Sequence, residues 1–198
     1  MARTRSVGAC TVTARLARRV ADVQRRLCAI YGLEVGLRAE RFLLDPGQAR
    51  SLLPPPSPRT GLAILEEGDE LWLGLYFDHR DRSDPAAIVE ETSHWLCLIW
   101  HAAQARPVSR LLLELQAEVD RYAVERLGGG NGLAHFEGAS WDPALAPADR
   151  SRYEVAYSAA RRYCRCLSRR FPLRCDVPAL LAELRRFYRA PAGEKLGA

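Results

Sequence analysis

The sequence has no CxxC pair, no long uninterrupted apolar run and almost no lysine. Each absence excludes something. Without CxxC spacing, the six cysteines (Cys10, Cys28, Cys97, Cys164, Cys166 and Cys175) cannot build a zinc ribbon. Several of them sit on apolar helical faces, so reduced core thiols are expected rather than disulfides. No apolar stretch approaches the ~20 residues of a membrane-spanning helix. The basic start MARTRSVGACTVTARLARRV has no apolar segment behind it, which argues against a secretory signal. These absences describe a soluble cytoplasmic chain, with no membrane partner expected.

What is present is ordinary globular composition, 48% hydrophobic and 27% charged over 198 residues, enough for one domain with a full core. Charge is distributed unevenly. Residues 1–45 carry a net +5, residues 46–145 a net −7 and residues 146–198 a net +7. Complementary segments packing on one another account for this pattern. A nucleic-acid surface is the sharper alternative, but the Lys, Gly and aromatic interleaving of a known module is missing.

Hydrophobic spacing orders the elements. Leu16, Val20, Val23, Leu27, Ile30 and Tyr31 recur at three and four, predicting a helix over 15–31 that Gly32 stops. Leu33, Val35 and Leu37 alternate, predicting a strand. Residues 62–65 and 71–77 flank a Gly-Asp turn and predict an antiparallel hairpin. Asp84-Pro85 reads as a helix cap with proline at the first helical position, opening a helix to about Gln104. A second helix is expected from about Pro107 to Leu127. A Gly-rich loop (128–147) and two amphipathic helices (about 149–171 and 178–189) complete the chain. One α+β domain results, with a core over 1–127, the loop, and a helical extension over 148–198.

Chemistry concentrates on the helix opened by Pro85. Glu90 and His94 are four residues apart and share a face, with Glu91 beside them. The segment Glu90-Glu91-Thr92-Ser93-His94 has the geometry of H-E-x-x-H, which puts two metal ligands at i and i+4 beside a general base. A carboxylate at the first position is still a competent zinc ligand. On the following helix, Leu111, Leu115, Glu118 and Tyr122 share a face that is apolar except for Glu118. A carboxylate in such a stripe needs a partner, a metal or an arginine. Glu114 lies beside Arg110 and Arg121 and suits a solvated face. His94 and His101 are about 10.5 Å apart along a helix, too far to share one ion. Cys97 with His101 has ligand spacing but reads as core, His79 as surface, and His135 as a loop residue able to cover the site.

Taken together, hairpin, Glu-x-x-His helix and the stretch Glu118-Val119-Asp120-Arg121-Tyr122-Ala123 resemble the zincin-like metallopeptidases of the ImmA/IrrE type. The resemblance covers about residues 62–127. It implies a zincin-like fold, a small antiparallel sheet with its hairpin packed on the motif-bearing helix, plus C-terminal helices. It also implies Glu90, His94 and Glu118 as metal ligands, Glu91 as the base that activates water, zinc as the ion and a peptide or protein as substrate. Glu90 departs from the family's histidine. Oxygen ligands shift preference towards iron or manganese, and a weakened or inactive relative is the expected form. A carboxylate-bridged di-iron bundle wants two Glu-x-x-His motifs and finds one. The non-enzymatic alternative is an interaction protein whose basic terminal helices bind nucleic acid or a protein. It would use Arg161, Arg162, Arg165, Arg169, Arg170, Arg174, Arg185, Arg186 and Arg189.

Overall fold

A computed structural model describes residues 3–6, 14–52, 59–67, 70–138 and 146–197. It is a mixed helix-and-sheet structure of the α+β class. The chain divides into two compact units, Met1–Arg26 with Glu34–Pro107, and Leu27–Leu33 with Val108–Ala198.

The first unit holds a three-stranded sheet of β1 (Arg3–Ser6), β2 (Gly61–Glu67) and β3 (Glu70–Tyr76), in the order β1-β3-β2. β2 and β3 form the expected antiparallel hairpin, with Leu62 opposite Leu75 and Ile64 opposite Leu73. Its Gly68-Asp69 turn lies outside the described residues. β1, which the sequence pattern does not announce, adds in parallel, with Thr4 opposite Leu71. The central strand is buried on both faces, since Leu73, Leu75 and Tyr76 are all covered. Leu71, expected on the same face as Leu73 and Leu75, falls where side chains are not described. Gly74 is required by close approach. A Cβ there would stand 2.6 Å from Leu44 Cδ1, because Leu44 N donates to Leu75 O at 2.8 Å.

The strand expected over Leu33, Val35 and Leu37 does not form. That segment closes α1 (Ala14–Tyr31) through Leu33 N to Cys28 O and then runs unpaired into a 3-10 turn at Ala39–Phe42. Gln24 takes the place of a neighbouring strand. Its amide donates to Leu37 O at 2.8 Å and accepts from Ala39 N at 2.8 Å. A short helix α2 (Pro46–Leu52) follows. The long helix α3 (Pro85–Ala103) starts where Asp84-Pro85 indicates, with the Asp84 carboxylate accepting from Ala86 N at 2.9 Å. It packs on β2, and Trp95 meets the Phe42 ring at 5.3 Å.

The second unit is helical beyond the end of α1. Its helices are α4 (Arg110–Leu127), α5 (Pro147–Arg170), α6 (Val177–Arg189) and α7 (Ala192–Gly197). α4 begins three residues later than Pro107, because Ser109 is the residue that caps it, accepting from Leu112 N at 3.2 Å. Gly128 ends it as expected, and the loop behind contains a 3-10 turn at Ala134–Phe136. α7, unannounced by the sequence, is held by its only lysine. Lys195 is 1% exposed, donates to Gln116 Oε1 at 3.0 Å, and lies 5.3 and 5.2 Å from the Phe187 and Tyr188 rings. The Gln116 amide donates in turn to Asp120 Oδ1 at 2.8 Å, and Tyr31 donates to the same oxygen. Cys28, Cys97, Cys164, Cys166 and Cys175 are free, but only Cys97 and Cys164 are buried.

Candidate metal centre

The middle of α3 buries a polar turn in an otherwise apolar helix. Glu91, Thr92, Ser93 and His94 are all buried, next to Trp95, Leu96 and Cys97. This helix has no wide solvated face, so its polar residues are not the outer stripe of an amphipathic helix. Glu90 is half-buried and stands one turn before His94. Glu91 Oε2 lies 3.5 Å from His94 Nδ1, both side chains being about nine-tenths covered. At that separation the two groups are close neighbours without a hydrogen bond between them. Glu91 thus stands beside the His94 imidazole, buried with it.

Glu114, read from sequence as a solvated residue, is instead only 9% exposed and lies 4.0 Å from Arg152 Nε. The correction has a simple cause. Residues 112–117 of α4 are buried all the way round, so there is no solvated face for Glu114 to occupy. Glu118 is half-buried, with His135 Nε2 at 3.1 Å and Arg121 at 3.5 Å, and these neighbours meet the need for a partner that its stripe implies. Within the first unit, Glu90 and His94 stand one turn apart on α3 and could offer a carboxylate and an imidazole to a metal ion. A carboxylate and an imidazole are both donors that divalent cations accept.

The remaining histidines and cysteines have other roles. His79 is exposed and pairs with Asp78 at 2.9 Å. His101 is buried edge-on to Trp100 at 5.0 Å, and Cys97 is buried with it in the core. His135 packs its ring on Phe136 at 3.8 Å while meeting Glu118. Burial, with help from Glu118 and Asp120, pushes the Cys164 thiol well above its ordinary range, so it stays protonated and is a poor ligand.

Sequence reasoning passed over Glu114 because it assumed one buried stripe on α4. The signal that would have found it is the run Leu111-Leu112-Leu113-Glu114-Leu115, where a lone charge interrupts an apolar stretch too continuous for a solvated helix. No family model matches the sequence, and no curated protein or solved structure matches it.

Proposed function

We propose that this chain is a metal-binding protein related to zincin-like hydrolases and weakened as a peptidase, holding a divalent cation through Glu90, His94 and Glu114. The observation that carries this reading is the buried Glu91–His94 pair, with Glu90 one turn away. A buried imidazole with a carboxylate one turn before it has the i, i+4 ligand spacing of a metal-binding helix. Glu114 is proposed as the third donor because it is the more deeply buried of the two α4 carboxylates.

The donor set also sets the strength of the chemistry. A bound divalent ion would supply Lewis acidity to a carbonyl or a water. Two carboxylates bring its net charge near zero, whereas a two-histidine, one-glutamate set leaves it positive, so water is acidified less. Peptide hydrolysis is therefore weak or absent in the native chain, and manganese or iron competes well with zinc.

Titration of zinc and of manganese into the purified protein, followed by calorimetry, tests this. One ion per chain is expected, with affinity falling at least tenfold in both His94→Ala and Glu114→Gln and little changed in Glu118→Gln. Unchanged affinity in His94→Ala would remove the site. Loss in Glu118→Gln with none in Glu114→Gln would restore Glu118 as the ligand. The Glu90→His variant should bind zinc more tightly and gain chelator-sensitive hydrolysis of an unfolded polypeptide.

A further inference from the structure

The arginines of α5 and α6 have different employments. Arg185 donates to Ile30 O and Ala29 O, and Arg189 to Tyr31 O and Gly32 O, so both tie α6 to the end of α1. Arg186 is engaged by Glu183 and Glu194. Arg162 donates to Leu196 O at 2.6 Å, and Arg170 stands 3.9 Å from Glu183. Arg161, Arg165 and Arg169 are different. All three are exposed, and among the described residues none makes a hydrogen bond or ion pair.

These three form one straight row along α5 at intervals of four, about 6 Å each. Tyr157, Arg161, Arg165 and Arg169 make one ridge; Ser158, Arg162, Cys166 and Arg170 make the next. Between the ridges runs a trough of about 610 Å³ whose lining contains no acidic residue. Five guanidinium groups on one trough are a field with no internal counter-charge for the outer row, and guanidinium forks match phosphate oxygens in pairs. The row from Arg161 to Arg169 is about 12 Å long, with a guanidinium about every 6 Å, so that each of the three can meet one phosphate of a strand.

We propose that this α5 trough binds the phosphate backbone of a single-stranded nucleic acid. A straight row on one helix favours a single strand over a duplex, because a flexible strand can follow the row while duplex phosphates curve away from it. Tyr157 closes one end of the trough with an aromatic face of the kind on which unpaired bases stack. The proposal is independent of the metal reading, since it uses no residue of α3 or α4.

Fluorescence anisotropy of labelled 12-nucleotide single-stranded RNA and DNA, titrated with the full-length protein, tests it. Three phosphates neutralised on a single strand give a slope of about −2 in log affinity against log salt, a loss of roughly 20-fold between 50 and 200 mM. The triple variant Arg161→Gln, Arg165→Gln, Arg169→Gln should lose at least tenfold in affinity at 50 mM salt and most of the slope. All three positions are exposed, so its melting curve should match the native one. A charge-matched control, Arg15→Gln, Arg18→Gln, Arg26→Gln on exposed positions of α1, should keep the affinity. Equal loss in the control would show general charge attraction in place of a site and overturn the proposal. So would absence of binding at 50 mM salt, tighter binding of the duplex, or displacement by poly-glutamate as effective as by the oligonucleotide.

Discussion

Lys195 shows how one residue can hold a terminal element. A buried ammonium must find partners, and this one has a side-chain carbonyl at 3.0 Å and two aromatic faces near 5 Å. Its acceptor, Gln116, is 0% exposed and commits its amide nitrogen to Asp120. Lys195→Met keeps the stem and removes the donor, leaving Gln116 Oε1 short of it. Loss of about 1–3 kcal/mol is expected, read as a lower urea midpoint, and an unchanged midpoint would show that Lys195 is incidental. Nothing local in the sequence announces this contact, because Lys195 and Gln116 are 79 positions apart. The same limit applies to the candidate site. The Glu90–His94 spacing on one face of α3 was legible from period alone. That Glu91 meets Nδ1 of His94, or that Glu114 is buried, depends on packing that a periodic pattern does not encode.

Among the elements, the legible ones are those whose signal is local. Asp84-Pro85 opens α3 as read, and the three-four spacing of α1, α5 and α6 places those helices to within a few residues. The same kind of signal was present and overlooked at α2. Asp45 accepts from Gly47 N and Gln48 N, while Gln48 Oε1 accepts from Asp45 N, a capping box readable in Asp45-Pro46-Gly47-Gln48. The strand over Leu33–Leu37 failed for the opposite reason. Alternation was there, but a strand needs a partner, and Gln24 supplied the hydrogen bonds instead. Gly74 gives the element-scale prediction. In Gly74→Ala the new methyl must displace Leu44, itself 2% exposed, from its place against β3. Overpacking of this kind costs about 1–3 kcal/mol, and thermal melting should show it. A melting temperature equal to the native one would mean that Leu44 moves freely and that β3 and Leu44 are not tightly packed.

For the molecule as a whole, ionisable groups buried or paired on folding set the pH range over which it is stable. On the acid side, the Arg186 hydrogen bond holds Glu183 below its ordinary value of 4.5. A lowered folded value means that its contribution is present above 4.5 and lost as pH falls further, because the unfolded chain takes up the proton first. Arg186 is half exposed, so the effect is modest, as surface pairs usually are. On the alkaline side, burial holds the Cys164 thiol above 9.0 and the phenols of Tyr31 and Tyr163 above 10.0, with Asp120 reinforcing Tyr31 and Glu183 reinforcing Tyr163. For these groups the sign reverses. Their folded values are raised, so stability is complete below their unfolded values and falls as pH climbs past about 9 to 10 while the unfolded chain releases protons that the folded chain retains. Melting temperature against pH should therefore be flat from about 5 to 9 and fall on both sides. Two substitutions assign the limbs. Glu183→Gln should lower the plateau slightly and flatten the acid fall. Tyr163→Phe keeps the ring stacked on Phe187 at 4.0 Å and removes the titrating oxygen, so the alkaline fall should become shallower with little change at neutral pH. If Tyr163→Phe leaves the alkaline limb as steep as before, the buried phenol does not set that boundary, and Tyr31 with Cys164 must.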